Sequence, residues 1–214
     1  MSAYFPNGTI FAIGTAYAAT KTISAVSNAN PGVATSTAHG YTDADILLLA
    51  GMPSAKLDGR VVRVSGSATN SFNLEGINTT STTLFPTGFG VGTASKVTSF
   101  VSLSQITDVQ SSGGEQQFYQ WVYLEDGRQR QRPTFKNARA LQLTLDWDPT
   151  LSWHQSLLDA DAAQTPYALR ATLPNSTVLY YGVYVGFDGE PAMTINENIK
   201  TVASFSLASP HTRY

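Results

Sequence analysis

The sequence contains no cysteine. That removes disulfide staples, cysteine-ligated zinc and a thiol nucleophile together, and it predicts folding in a reducing compartment. Charge is scarce as well: Asp, Glu, Lys and Arg make up 13% of the chain, against about 25% in a typical soluble domain. No run approaches the roughly 18 uninterrupted apolar residues that a membrane-spanning helix needs. The opening Met1-Ser-Ala-Tyr-Phe-Pro-Asn-Gly8 has neither a basic nor an apolar export region, so the chain is expected to stay in the cytoplasm where it is made. A formal net charge of −2 provides no basic footprint for nucleic acid.

What is present is a foldable chain. With 214 residues, 42% of them hydrophobic, it can build one good core, or one domain carrying a smaller insertion. A monomer normally clothes itself in Lys and Glu. Here Ser, Thr, Asn and Gln take over part of that role. The shortage leaves two readings: a merely polar surface, or a surface buried against other copies, where charged residues are depleted.

The pattern is mainly β. Short runs rich in Thr, Val, Ile, Tyr and Phe are punctuated by Asn-Pro-Gly, His-Gly and Asp-Gly turns every ten residues or so. Residues 22–94 read as very short strands at Thr22–Val26, Val33–Ala38, Ile46–Leu49, Arg60–Val64 and Ser71–Leu74. Strands this short bury a core only by curling into a small barrel or roll. The region ends in Gly88-Phe-Gly-Val-Gly92, expected to be a flexible exit. Residues 1–21 and 95–214 carry longer strands, and so form a discontinuous second unit. In Ala140–Trp147, Leu141, Leu143, Leu145 and Trp147 share one face. Gln117–Glu125 has bulk on both faces, and its Tyr119, Trp121, Tyr123 face is either an inter-subunit surface or a second core layer. Val178–Phe187 and Val202–Leu207 supply two further strands. One flanking α-helix is expected over about 149–163, with Asp148 as N-cap, Pro149 at the first helical position and a packing stripe of Leu151, Trp153, Leu157 and Leu158. The fold class is a β-sandwich flanked by that helix.

Constellations that would carry catalysis are missing. His39, His154 and His211 are far apart: a turn residue, a packed core-edge residue and part of a polar tail. Gly88–Lys96 fails the spacing of a phosphate-binding loop. Glu125 and Asp126 bracket a turn, while Asp146 and Asp148 flank a helix cap, so neither pair reads as a hydrolytic dyad. The expectation is no enzyme, no cofactor and no metal site. Asn7-Gly-Thr, Asn78-Thr-Thr and Asn175-Ser-Thr match glycosylation acceptors, which mean nothing without export. One charged constellation stands out. Glu125-Asp-Gly-Arg128-Gln-Arg130-Gln-Arg132 sets acids at a turn and then three arginines that share one face if the segment is extended. Such a face either pairs with carboxylates of another copy or is a solvated hairpin tip.

Several stretches carry a resemblance. Asn7-Gly-Thr-Ile-Phe-Ala-Ile-Gly-Thr-Ala-Tyr17, Lys21 through Gly40, Leu57-Asp-Gly-Arg-Val-Val-Arg-Val64 and Ser71-Phe-Asn-Leu-Glu-Gly76 together resemble a small β-barrel insert common in phage tail proteins and likened to part of ubiquitin-activating enzymes. The flanks resemble the major tail tube proteins of long-tailed, non-contractile phages. Those stretches are Ser112-Gly-Gly-Glu-Gln-Gln-Phe118, Asp148-Pro-Thr-Leu-Ser-Trp153, Ala168 through Tyr181 and Val183-Tyr-Val-Gly-Phe187.

The resemblance implies a structural virion protein of the tail. Hexameric rings would stack around a channel for double-stranded DNA, which passes without specific binding. A long loop would reach the neighbouring ring, here through Glu125, Asp126, Arg128, Arg130 and Arg132. Tape measure and tail-end proteins are the other partners implied. Six copies at −2 carry −12 per ring, a sign that repels phosphates. Lumen candidates are Glu115, Asp146, Asp188 and Glu190, with Glu125 and Asp126 also available. Residues 22–94 would decorate the exterior. The competing expectation is a baseplate or tail-fibre module that binds a host-surface glycan.

Overall fold

The computed structural model describes residues 7–214. The chain opens with β1 (Ile10–Tyr17), followed by six short strands: β2 (Lys21–Ile23), β3 (Ala25–Val26), β4 (Gly32–Thr35), β5 (Ile46–Ala50), β6 (Val61–Ala68) and β7 (Ser71–Leu74). Next come β8 (Gly92–Leu103), β9 (Ile106–Gly113), β10 (Gln116–Val122), β11 (Gln129–Lys136) and β12 (Arg139–Asp146). The helix α1 (Ser152–Ala163) precedes β13 (Tyr167–Thr172), β14 (Val178–Gly186), β15 (Lys200–Leu207) and β16 (Thr212–Arg213).

The longer strands run in the order β8-β1-β13-β14-β15-β12-β9, each antiparallel to its neighbours. Period-two alternation tells each strand which face to bury. In β15, Thr201, Ala203 and Phe205 are buried while Val202, Ser204 and Ser206 face out. Phe11 and Ile13, Leu143 and Leu145, Leu169, Val183, Val185 and Phe205 meet in one core. Trp153, Leu157 and Ala160 of α1 complete it. Leu151 and Leu158 are only partly buried against the same cluster. Burying each large side chain there contributes about 1.5–3 kcal/mol. This is a mainly β sandwich with one flanking helix.

The helix starts later than its sequence suggests. The Asp148 carboxylate accepts hydrogen bonds from the Thr150 N–H at 3.0 Å and from its hydroxyl at 2.6 Å. Those bonds close a turn in front of the helix rather than capping it, and the extended Leu151 stands at the N-cap with no side-chain cap. Asp148 as N-cap is therefore corrected. The helix ends where Gln164 turns left-handed, two residues before Pro166.

The short strands follow the order β3-β4-β7-β6-β5-β8, and β2 also pairs with β8. Because β2 and β3 are consecutive pieces of one run, this sheet curls back to where it began. It encloses a second core that includes Ile23, Leu47, Leu49, Val62, Phe72, Leu74 and Ile77. Phe85 and Phe89 also belong to that core, so the Gly88–Gly92 stretch is packed rather than a flexible exit. A Cβ on Gly90 would collide with Val26.

No hinge separates the two cores. β8 pairs through Gly92–Lys96 with β2 and β5, then through Val97–Leu103 with β1. A third apolar cluster, Leu48, Val61, Val97, Ala168 and Tyr180, lies between them. The C-terminal segment straps across: Ser209 Oγ donates to the Gly59 carbonyl at 3.2 Å, and Thr212 Oγ1 donates to that of Val61. Tyr214 Oη accepts the Arg63 N–H at 2.8 Å and donates to the Glu75 carbonyl at 2.9 Å.

Candidate functional site

Four strand segments, β9, β12, β15 and Tyr184–Gly186 of β14, form one sheet; β12, β15 and β14 bury their inner side in the sandwich core, while β9 buries little beyond Ile106. Register fixes what lines the other side. Gln142 lies opposite both Gln110 and Ser204, Thr144 opposite Asp108 and Val202, and Asp146 opposite Lys200. That face is mostly polar, with Val202 and Tyr184 as its large apolar members, two acids, Asp108 and Asp146, and one base. Lys200 is held at 3.0 Å by Glu197, and Asp146 accepts the Asn198 amide at 3.2 Å.

Both sides of this sheet end in open edges. Among the described residues β9 pairs only with β12, and Tyr184–Gly186 pairs only with β15 because β13 stops at Tyr167. Open edges present unpaired N–H and C=O groups, which natural sheets cover or pair.

Between β9 and β12 the chain throws out a hairpin, β10 with β11, which among the described residues pairs with no other strand. Phe118 lies opposite Pro133, Tyr119 opposite Arg132, and Trp121 opposite Arg130. One side is thus aromatic and cationic, and Tyr119 stacks on Trp121 with ring centroids 5.7 Å apart. The Arg130 guanidinium lies 5.2 Å from the Tyr123 ring centroid and pairs with Asp126. The other side carries Phe118 and Val122. Tyr119 is 63% exposed, Phe135 66%, and Leu124 at the tip wholly so. Apolar surface of this extent on a projecting element marks a contact surface.

The acidic candidates do not converge. Glu125 and Asp126 sit in the hairpin turn, and Glu115 at its base bonds the Asn137 amide at 3.3 Å. Asp188 accepts the Glu190 N–H at 3.1 Å in the β14–β15 loop, at one end of the sheet. Asp146 lies on the polar face, and Asp188 borders it, lining a shallow pocket with Gln142, Val202 and Ser204. The companion of Asp146 on that face, Asp108, was missed because Thr107–Gly113 lacks the apolar alternation of a half-buried strand. The exposed Met193 and Ile195 of the β14–β15 loop were also missed. The signal for them was two isolated apolar residues in a run of Thr, Asn and Glu.

The histidines stay apart. His39 Nε2 lies 2.7 Å from the Ala68 carbonyl, His154 packs edge-on against Phe187, and His211 lies against Tyr181. The described residues hold no group of three or more metal-ligating side chains, and no helix long and apolar enough to cross a membrane. In residues 22–94 the aromatics Tyr41, Phe72, Phe85 and Phe89 are all buried, which leaves no aromatic platform for a sugar.

The family model described as phage tail tube protein, TTP, matches residues 53–214. No curated protein matches the chain. With well over half of its length matched, the chain belongs to the phage tail tube protein family and is a structural component of the virion tail.

Proposed function

We propose, taking membership of the tail tube family as the premise, that six copies close a ring and that rings stack into the tube through which DNA leaves the virion. The observation that carries this reading is the four-stranded sheet with a mostly polar outer face and two open edges. Joining β9 of one copy to Tyr184–Gly186 of the next leaves no edge exposed, and repetition closes a circle. Four strands from each of six copies, about 4.8 Å apart, give a circumference of roughly 115 Å, hence about 37 Å across. Allowing on each wall half of the ~10 Å that separates packed sheets leaves roughly 27 Å, enough for a duplex.

The wall chemistry fits the task. Each Lys or Arg on a channel wall is a potential phosphate contact, and phosphate contacts dominate nucleic-acid affinity. Asp108 and Asp146 face the lumen in this reading, and the one base there is occupied by Glu197. The hairpin contacts the next ring, and residues 22–94, joined to the sandwich through β8 and the C-terminal strap, sit on the exterior. Tape measure and tail-end proteins are the further partners in this reading. Electron microscopy of the purified protein at high concentration tests the proposal. Rings or tubes with Asp108 and Asp146 on the inner wall are expected. A persistent monomer, or an inner wall carrying mostly Lys and Arg, would overturn it.

A further inference from the structure

We propose that the hairpin's acceptor is the β14–β15 loop, residues 188–199, on the opposite rim of a second copy of this chain. This rests on the stacked-ring reading and names the surface that the hairpin meets. Placement is the first argument. The hairpin leaves the sheet at Gly113 and returns at Arg139, the start of β12. The loop delivers Lys200, which lies opposite Asp146 at the end of β12. Hairpin base and loop therefore occupy opposite ends of one strand, roughly 25 Å apart at ~3.4 Å per residue. A head-to-tail contact between identical subunits needs two different patches at opposite ends, because self-complementary patches would close dimers instead.

Charge is the second argument. From 128 to 139 the chain carries Arg128, Arg130, Arg132, Lys136 and Arg139 with no acid; from 188 to 199 it carries Asp188, Glu190 and Glu197 with no base. Each segment satisfies one of these internally, Arg130 with Asp126 and Glu197 with Lys200. Arg128 and Arg132 on one side, and Asp188 and Glu190 on the other, have no ion-pair partner among the described residues. The apolar groups match too. Met193 is 74% exposed and Ile195 90%, facing solvent as Leu124 and Phe135 do on the hairpin. Such a contact has an apolar centre and a charged rim, the usual anatomy of an interface. The shallow groove at Pro53, Lys56 and Leu84 carries a cation and does not complement the hairpin.

Charge reversal in the full chain tests the pairing, because all six substituted side chains are exposed. The hairpin variant is Arg128→Glu with Arg130→Glu and Arg132→Glu; the loop variant is Asp188→Lys with Glu190→Lys and Glu197→Lys. Circular dichroism establishes that each is folded, and microscopy measures tube length. Each variant alone should shorten tubes about tenfold or more, and the two combined in one chain should restore most of the length, since opposite charges again face each other. A loop variant that polymerises like the wild type overturns the acceptor assignment. So does a combined variant that stays short. In either case stacking itself stands, provided that the wild type forms tubes and the hairpin variant does not. A wild-type chain that never forms tubes removes the stacked-ring reading, and this inference with it. Because the chain has no native cysteine, Leu124→Cys with Ile195→Cys supplies an independent measurement. Oxidised tubes should give a ladder of disulfide-linked subunits, and its absence from assembled tubes counts against the contact.

Discussion

Two excursions leave the same sandwich and treat their apolar residues in opposite ways. Residues 22–94 curl around a core of their own, with Phe72, Leu47 and Leu49 wholly buried. The β10–β11 hairpin has no core at all and holds Phe118, Tyr119, Leu124 and Phe135 out to solvent. Both are β-rich, aromatic-bearing and poor in Gly within their strands. The difference is strand number. Six short strands and the start of β8 can close on themselves, whereas an isolated two-stranded hairpin is only marginally stable in water. An element that cannot satisfy its own apolar surface is made for a partner, and one that can is built to stand beside other functions.

The sharpest break of that comparison is to remove one aromatic from each excursion. Phe72→Ala deletes a wholly buried ring and should destabilise the isolated subunit by about 3–5 kcal/mol. Phe135→Ser should stay within about 0.5 kcal/mol, as surface changes do, yet weaken tube formation. Urea unfolding of both variants decides the matter. Equal losses of stability would mean that the hairpin is packed in the free subunit.

The seam between the insert and the sandwich comes next. Gly182 of β14 packs so closely on the backbone of Gly59 that a Cβ would land on the Gly59 carbonyl. Gly182→Ala should therefore cost about 1–3 kcal/mol, as overpacking does. An insert tethered loosely to the sandwich would swing aside and show no loss. Ala at this position with an unchanged midpoint would demonstrate that loose attachment.

The third effect is smaller per residue. Changing Arg128, Arg130 and Arg132 together to Ser should leave the subunit's midpoint in place but reduce ring stacking, and high salt should mimic it. Exposed pairs contribute only about 0–1 kcal/mol each, but the contact repeats around every ring. Tubes of unchanged length and salt resistance would mean that the three arginines are merely solvated.

How much of this was legible in the sequence follows from the same contrast. Where burial enforces alternation, as in β12 with Leu141, Leu143 and Leu145, or in β15, strands and faces could be read directly. Where burial is absent, the pattern fades: β9 is a strand with almost no apolar face, held by its register against β12. The helix start was misplaced because Asp148 closes a turn with Thr150, a local competition that propensity does not decide. The strap from Ser209 to Tyr214 was invisible, because its partners Gly59, Val61 and Glu75 lie more than a hundred residues away. Among the site residues, Arg128, Arg130 and Arg132 could be picked out by charge and spacing. Their acceptor could not, because an interface between copies leaves no periodicity within one chain.

The smallest effect concerns how the insert is clamped, and pH should expose it. Arg63 donates from Nε and Nη2 to the two Glu75 carboxylate oxygens, each at 2.6 Å. The same guanidinium lies 4.2 Å from the ring centroid of Tyr214, whose hydroxyl bonds the Glu75 carbonyl. Those hydrogen bonds, and then the charge of Arg63, hold the Glu75 carboxyl below the ordinary glutamate range. The sign follows from linkage: a carboxyl lowered by folding contributes stability that is complete above its unfolded value and is lost as pH falls through the folded one. The window therefore lies below the unfolded glutamate value of about 4.3. Both side chains are 34% exposed, so water screens the pair and the contribution should be about 0–1 kcal/mol. Asp45 adds to the same window. Burial pushes its carboxyl up, but Lys96 at 2.7 Å and the Thr42 N–H outweigh that and bring it below its usual range. Glu75→Gln should thus destabilise the subunit more at pH 7 than at pH 3, because the wild-type carboxyl gives up its charge as pH falls through that window. Urea midpoints at the two pH values measure the difference. A loss of equal size at both would show that Glu75 acts through packing rather than charge, and the clamp on the insert would then owe nothing to the ion pair.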